Sequence, residues 1–467
     1  MSRMIPFGSL PIWSRRGWLK VMPGLWLGLE TTPRVTTAAS AAFTRVPRVD
    51  TVLFVIVNGG QSQLDTWDPK PLAPLEVRGE FCAIPTSVPG TWVCEHLPLL
   101  AQRAHRYALI RTMSHEDLDH GSALYLLLTG QYHSRRSSNP PPAETDWPTH
   151  AAVVKRLRPA GHFLEPAVHL NGPALIPILP SAGQNGGFLG RAWDPLVVGE
   201  ISSASSPWPV LQPWPEVSSE RRQRRRRLLE QLETHAAHPQ PANDYARHLE
   251  RAWQLLERLE VQQAFELQQE PVAVRERYGQ HRSGQACLLA RRLVEAGVSW
   301  ITLFWNHTGR GQDRAPHNPE EYGWDTHNDI FMALRKYLLP RFDQSFSALL
   351  DDLEERGLWE RTLVVCAGEF GRAPLVALEK NFAGESPGRK HWSACYSVLV
   401  AGGGVQGGRV LGRSDSRGAY PLSEKYGPWD LAATMYAALG FDPAGHFVDA
   451  RGQQHPLTAG RPIAALY

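Results

Sequence analysis

Five short polar segments hold the residues best suited to chemistry. Each contains His, Asp or Glu outside any apolar periodicity. The segments are NGGQSQLDTWD (58–68), SHEDLDHGSALYLLLTG (114–130), WDTHND (324–329), AGEFGR (367–372) and GRKHW (388–392). Imidazole and carboxylate groups from separate segments are how α/β enzymes hold a divalent metal ion. A lone histidine is more often a structural hydrogen-bonding residue, but several such segments in series favour a metal site.

Buried strands and helices are predicted around these segments. Continuous apolar runs, typical of parallel strands buried on both faces, occupy 51–57, 107–111, 298–304, 362–367 and 396–401. Helical patterns cover 285–296, 328–356 and 428–439. Strands that alternate with helices predict a three-layer α/β/α sandwich with a mainly parallel central sheet. Sites in such sheets form at the carboxyl ends of strands, so the residues after 57, 111, 304, 367 and 401 are candidates.

Composition narrows the class of protein. The chain has 467 residues, of which 42% are hydrophobic and 20% charged, which is typical of a globular protein. It contains no run of about 18 uncharged apolar residues, so no transmembrane segment is expected. The net charge is +3, but five basic residues against Glu30 alone put +4 before Ala41. The rest of the chain has a net charge of −1, so its charge gives no reason to expect a nucleic-acid partner.

The first 41 residues resemble a twin-arginine signal peptide. SRRGWLK (14–20) is followed by the apolar stretch VMPGLWLGL and then by Ala39-Ser40-Ala41, a small-x-small cleavage site. The alternative is a chance arginine pair in a leader. We therefore expect a mature domain over 42–467, exported by the twin-arginine route to the periplasm or the cell surface.

The five cysteines do not form a recognisable framework. They are odd in number and contain no CxxC pair, which excludes a disulfide scaffold and a thiolate zinc site. Cys82 and Cys94 are candidates for pairing after export.

Two further regions are predicted to lie outside the regular sandwich. Residues 131–215 are rich in Pro, Gly, Ser and Trp, which indicates long loops over the site. Residues 218–268 are helical in composition and indicate a helical insertion at about 195–285. The run RRQRRRR (221–227) lies on its first helix. We interpret that run as a solvated helix face, with a polyanion-binding patch as the alternative.

Ordered motifs over residues 50–463 resemble one family. The motifs are NGGQSQLDTWD, EVRGEF, CEHLPLLA, LLTG, LLARRLVEAGV, WDTH, RGLWERTLVV, GEFGR, HW and AGGGVQGG. Together they are similar to the exported family called domain of unknown function 1501. That family resembles the alkaline phosphatase and sulfatase superfamily, which implies an alkaline-phosphatase-like fold. HGSALYLLLTG has the layout of the sulfatase segment C-x-P-S-R-x-x-L-L-T-G.

The superfamily resemblance implies roles for single residues. Its Asp-then-His metal pair falls on Asp325 and His327, which are two positions apart and so face the same way on an extended chain. Its last metal-binding His falls on His391. Its other metal ligands fall on Asn58 and on Glu369, whose neighbour Phe370 cannot bind a metal. The resemblance thus implies one intact site for a divalent ion such as Zn, Ca or Mg.

The nucleophile position of the superfamily falls on His120. A single ion lowers the pKa of bound water and polarises an ester oxygen, which suits phosphate and sulfate esters. Arg372 is a candidate for stabilising the developing charge, with a salt bridge at the strand end as its alternative role. His120 and His115 are candidate general bases or nucleophiles. The alternative for His120 is a helix-terminal residue bonded to the backbone.

Two classes of function remain open at this point. The first is an exported, metal-dependent hydrolase of phosphate or sulfate esters, acting on a small molecule or a glycan ester. The second is a catalytically inactive relative that binds sulfated or phosphorylated glycans or a cell-surface partner. Sixteen tryptophans suit sugar stacking in either case and also ordinary packing. The oligomeric state cannot be read from the sequence.

Overall fold

An eight-stranded sheet forms the centre of the protein. The computed structural model describes residues 46–158, 165–201, 217–235, 253 and 259–467. The predicted signal peptide, 1–41, lies outside these ranges. The strands in the described ranges are β1 (Thr51–Ile56), β2 (Ala83–Pro85), β3 (Trp92–Cys94), β4 (Tyr107–Met113), β5 (Ala167–Leu170), β6 (Leu196–Val198), β7 (Trp300–Phe304), β8 (Thr362–Ala367), β9 (Gly371–Arg372), β10 (His391–Trp392), β11 (Tyr396–Ala401), β12 (Val410–Leu411), β13 (His446–Val448) and β14 (Gln454–Pro456).

The sheet is mainly parallel, as predicted. Its strand order is β12-β4-β11-β8-β1-β7-β5-β6. β1 pairs in parallel with β7 and β8, β5 pairs in parallel with β7 and β6, and β12 pairs in parallel with β4. β11 runs antiparallel to both β4 and β8. The carboxyl end of β11 therefore lies beside the amino ends of its neighbours, away from the carboxyl ends of β1 and β8. The expectation of a site after Ala401 is wrong.

Helices cover both faces of the sheet, which confirms the three-layer sandwich. Every residue of β1 is buried, with Leu53 and Val55 in one core and Phe54 and Ile56 in the other. The first core includes side chains of helices Arg282–Glu295 and Leu339–Glu355. The second includes side chains of helices His120–Thr129, His150–Leu157 and Pro428–Ala438. The other α-helices in the described ranges are Leu75–Arg78, Pro98–Gln102, Ser219–His235, Leu259–Phe265, Val272–Tyr278 and Ile330–Ala333, and the π-helical turn Leu334–Leu338 follows the last of these.

Residues 131–215 contain more regular structure than the sequence indicated. The helix His150–Leu157 packs in the second core, and β5 and β6 extend the sheet beyond β7. The expectation of loops alone is wrong there. The two strands have only four and three residues, which is too short for a clear apolar pattern among the flanking Pro and Gly.

The described part of the predicted insertion contains helices. In Ser219–His235, Arg221, Arg224 and Arg227 are exposed, and Arg224 Nη2 lies 3.9 Å from Glu220 Oε2. This arrangement agrees with a solvated helix face. No helix in the described ranges is long and apolar enough to cross a bilayer.

The five cysteines are free thiols. Cys82 is exposed, whereas Cys94, Cys287, Cys366 and Cys395 are buried. Cys82 and Cys94, the candidates for pairing after export, are both free.

Candidate metal centre

The turn after β1 brings two other loops into contact. Gly59 has φ +107°, and a Cβ atom there would lie 2.2 Å from the backbone nitrogen of Asp325. The Gly59 N–H donates to Glu369 Oε1 at 2.8 Å. Only glycine accepts both this φ and this approach without strain. The NGG turn therefore allows the loops after β7 and β8 to pack against it, through Asp325 and Glu369.

Four side chains, which we call the four-residue group, converge beside this turn. They are His120, Asp325, His327 and His391. One nitrogen or oxygen atom from each lies within 4.8 Å of the corresponding atoms of the other three. His120 begins the helix after β4, Asp325 and His327 lie in the loop after β7, and His391 lies on β10. Thus three separate segments of the sequence supply one site.

The distances from Asp325 to the three histidines fit a tetrahedral metal site. Asp325 Oδ1 lies 3.3 Å from His120 Nε2, 3.2 Å from His327 Nε2 and 3.5 Å from His391 Nε2. Ligand bonds of about 2.0–2.1 Å, tetrahedrally arranged, place neighbouring ligand atoms about 3.3 Å apart. The distances from the carboxylate therefore match those expected around one small divalent ion.

Asp325 is held as a carboxylate by a buried arginine. Arg372 Nη2 lies 2.6 Å from Asp325 Oδ1, and the Arg372 side chain is fully buried. Burial opposes ionisation, but His120 and Arg372 hold the pKa of Asp325 well below its usual range. Arg372 also donates to the carbonyl oxygens of Gly59 and Gly60. These bonds favour the salt-bridge alternative over a direct role for Arg372 in stabilising substrate charge.

His120 is oriented by Glu369. Its Nδ1 lies 2.5 Å from Glu369 Oε1, which assigns the Nδ1 proton to that bond and directs Nε2 toward the group. Burial lowers the pKa of His120, but Asp325 and Glu369 together raise it to about 9. Nε2 is buried and has no hydrogen-bond partner. A carboxylate behind a metal-binding imidazole is the usual outer-sphere arrangement in metalloproteins. His120 can thus serve as a fourth ligand through Nε2, the same atom that the predicted base or nucleophile would use.

His391 and His327 present their Nε2 atoms to each other at 2.9 Å. His391 Nδ1 donates to the Leu118 carbonyl oxygen at 2.7 Å, so its Nε2 carries the lone pair. The His327 ring stacks on Phe382, with centroids 3.7 Å apart. Burial, with His120 nearby, lowers the pKa of His391 to about 3, and burial also lowers the pKa of His327. The lone pair of His391 Nε2 can therefore accept from His327 Nε2–H, or the two Nε2 atoms can both serve as ligands of a cation beside them.

Three other predicted site residues do not join the group. Glu369, predicted as a metal ligand, contacts the group through His120. Asn58, also predicted as a ligand, donates to the Asn306 carbonyl oxygen at 2.7 Å and makes no hydrogen bond to the group. His115, a predicted base, uses both ring nitrogens: Nε2–H donates to the Glu369 carbonyl oxygen and Nδ1 accepts from the Asp117 N–H. Their side chains support the loops around the group.

A buried ion pair that the sequence does not indicate lies beside the site. Arg389 Nε lies 2.7 Å from Asp65 Oδ2, and neither side chain is exposed. Arg389 also donates to the carbonyl oxygens of Val77 and Pro374. Both residues lie in polar segments noted above, but 324 positions separate them. Nothing in either segment indicates that Arg389 and Asp65 pair with each other.

Glu369→Gln is expected to weaken metal binding. The amide keeps an acceptor for His120 but removes the negative charge that strengthens the imidazole as a ligand. Loss of such an outer-sphere partner typically costs about 10–100-fold in metal affinity. Competition with a chelating dye measures the metal affinity of each variant. Glu379→Gln is the matched control, because Glu379 pairs with the exposed Lys390 at 3.1 Å. Equal affinities of the two variants would contradict the role of Glu369.

Comparison with known proteins gives the family. A family model described as "Protein of unknown function (DUF1501)" matches residues 49–467. No curated protein matches the chain. Among solved structures, the phosphonate monoester hydrolase of Silicibacter pomeroyi is 14% identical, with a TM-score of 0.41, and the match covers 88% of this chain and 75% of that one.

Two more solved structures show similar levels of likeness. The phosphonate monoester hydrolase of Agrobacterium radiobacter is 13% identical, with a TM-score of 0.37, over 90% of this chain and 77% of that one. The alkaline phosphatase of the Antarctic bacterium TAB5 is 11% identical, with a TM-score of 0.34, over 78% of this chain and 95% of that one. Because the family model spans nearly all of the described chain, the protein belongs to the DUF1501 family.

Proposed function

We propose that the protein is a metal-dependent hydrolase of phosphate or sulfate esters with a single metal ion. The observation that carries this proposal is the convergence of three imidazoles and one carboxylate at one point. Buried polar groups of this kind need compensation, and the Nε2 of His120 makes no hydrogen bond and has only the Asp325 carboxylate, at 3.3 Å, beside it. The motif resemblance to ester hydrolases suits the same conclusion.

The donor set favours a zinc-like ion. Calcium and magnesium prefer oxygen ligands, whereas imidazole suits zinc and other first-row transition metals. Three of the four donors here are imidazoles. Zinc is therefore favoured among the predicted ions Zn, Ca and Mg. When bound, such an ion polarises an ester oxygen and makes water more acidic.

The surrounding residues have positioning roles in this proposal. Arg372 fixes the carboxylate of Asp325, and Glu369 fixes the ring of His120. The Phe370 ring lies 4.8 Å from the His120 ring and excludes water on that side. The His391 side chain is 20% exposed, against 6% for His327. Substrate therefore approaches from the His391 side.

Water is the expected attacking group. The nucleophile position of the resembled superfamily is occupied by His120, whose Nδ1 is bonded to Glu369 and whose Nε2 faces the group. No free imidazole nitrogen remains on this residue for covalent attack. Hydrolysis should then proceed without a burst of the released alcohol.

Aryl phosphate and aryl sulfate hydrolysis tests the proposal. The zinc-loaded mature protein should turn over at least one of them, and Asp325→Ala should lower the rate by at least about 100-fold, because several kcal/mol of charge stabilisation are lost. Asp313→Ala is the control from the same loop, because Asp313 is 34% exposed, pairs with Arg310 and is not one of the four residues. Equal rates for the two variants would reject the proposed site.

A binding role is the second candidate function. Four protein ligands are typical of closed structural zinc sites, whereas catalytic sites usually have three and an open position. In this case the ion would shape a surface for a sulfated or phosphorylated glycan or a cell-surface partner. Metal-loaded protein that turns over neither ester would favour this second function.

We also propose that the protein is exported by the twin-arginine route. The proposal rests on SRRGWLK and on Ala39-Ser40-Ala41. Replacing Arg15 and Arg16 together by lysine should leave the precursor in the cytoplasm, because this route reads the arginine pair. Cell fractionation measures the result. Normal export of the double variant would contradict the proposal.

A further inference from the structure

A cavity of about 500 Å³ lies apart from the four-residue group. None of the residues that form the group lines it. Its lining comes from the loop after the β1 segment, the helix Leu75–Arg78, the β2–β3 hairpin and β4. Its volume is within the range of about 300–1,000 Å³ that is usual for ligand sites.

The cavity carries an excess of positive charge. Lys70, Arg78 and Arg111 line it, and Asp68 is the one carboxylate in its lining. Asp68 Oδ1 already pairs with Lys70 at 2.9 Å and Arg111 at 3.2 Å, and its Oδ2 accepts from Ser414. Because one carboxylate cannot neutralise three cations, the lining suits an anion.

Arg78 is the strongest candidate to bind that anion. It is half-buried, and it makes no ion pair or side-chain hydrogen bond with any residue in the described ranges. Arg111 contributes a second unused donor, because its buried Nε has no partner. A half-buried guanidinium without a carboxylate is uncommon, since charged hydrogen bonds stabilise such groups.

One wall of the cavity is flat and apolar. Trp92 is 47% exposed although it lies on a strand. Phe81 is held in the lining by an edge-on contact with Phe331, with centroids 5.2 Å apart. Gly90 leaves the mouth open, because a Cβ there would meet nothing within 4 Å. An exposed indole in the same cavity as the unpaired Arg78 suits a ligand with both a flat face and a charge.

We propose that this cavity binds a small anionic ligand with a flat apolar face. Its sulfate, phosphate or carboxylate group pairs with Arg78, and its flat face lies against Trp92. A sulfated sugar ring and an aryl sulfate share this chemistry. The proposal does not depend on the metal centre.

Cys82 provides a direct test, because it lines the cavity and is the one exposed cysteine of the five. The rate of its alkylation by iodoacetamide is measured with glucose 6-sulfate, phenyl sulfate, glucose or inorganic sulfate. The wild-type protein is used, because Cys82 lies in the cavity and its alkylation reports binding there and not at the metal centre. At least one organic sulfate should slow alkylation about fivefold or more at saturation, and glucose should not.

Variants of the cavity complete the test. Arg78→Ala should raise the concentration for half-protection at least about tenfold, the loss expected for one charged hydrogen bond. Trp92→Ala should do the same for the organic sulfates only. Arg191→Ala is the control, because Arg191 is exposed and lies outside the cavity lining. Protection by glucose 6-sulfate would indicate a sulfated sugar as the ligand, and protection by phenyl sulfate would indicate an aryl sulfate. No protection, or protection unchanged in Arg78→Ala, would overturn the proposal.

Discussion

His120→Ala is expected to remove the metal ion from the purified protein. Structural zinc binds with about 10–16 kcal/mol, so one of four ligands accounts for about 3 kcal/mol, or more than about 100-fold in affinity. Elemental analysis after dialysis against a competing chelator should give about one zinc per chain for the wild type and almost none for the variant. A general base in this position would instead leave the metal content unchanged.

His115→Ala is the matched control for this experiment. Both residues lie in the polar segment 114–130, but the two ring nitrogens of His115 are bonded to the backbone of Glu369 and Asp117. This variant should keep its zinc. Chelation should lower the melting temperature of the wild type, because a ligand at a hundredfold excess over Kd stabilises by about 2.7 kcal/mol. It should not change the melting temperature of His120→Ala. Zinc loss from both histidine variants alike would contradict the assigned ligand.

Arg389→Met is expected to cause the largest loss of stability. It leaves Asp65 as an uncompensated charge in a fully buried position, and breaking one partner of such a pair typically costs about 3–5 kcal/mol. The same change frees the carbonyl oxygens of Val77 and Pro374. Urea denaturation measures the free energy of unfolding.

Arg361→Met is the control for the buried pair. Arg361 also pairs with an aspartate, Asp50, but their side chains are 70% and 45% exposed. Solvent screens such a pair, so its loss should cost only about 0–1 kcal/mol. A similar loss in both variants would show that the Arg389–Asp65 pair does not hold the loops around the site.

The layers of the fold could be predicted because buried strands are continuous apolar runs. β1 and β8 correspond closely to the predicted strands 51–57 and 362–367. Strand direction could not be predicted, because an apolar run such as β11 is equally buried whichever way it runs. The short strands β5 and β6 gave no pattern of their own, and their place is set by pairing with β7 and with each other.

The composition of the site was predicted better than the role of each residue. Asp325, His327 and His391 lie together, as the motif resemblance implied. The sequence could not show that His120 faces the group and Glu369 lies behind it, because this depends on which ring nitrogen bonds to Glu369. Arg372 lies against Asp325 only because the turn after β1 brings the two loops together.

The central claim is that His120, Asp325, His327 and His391 hold one metal ion. X-ray diffraction from crystals of the zinc-loaded protein, recorded at the zinc absorption edge, tests it most directly. The predicted result is one anomalous peak within about 2.0–2.2 Å of the three Nε2 atoms and of an Asp325 carboxylate oxygen. A zinc peak elsewhere with none between these four side chains, or a bound ion from which His120 is turned away, would contradict the account.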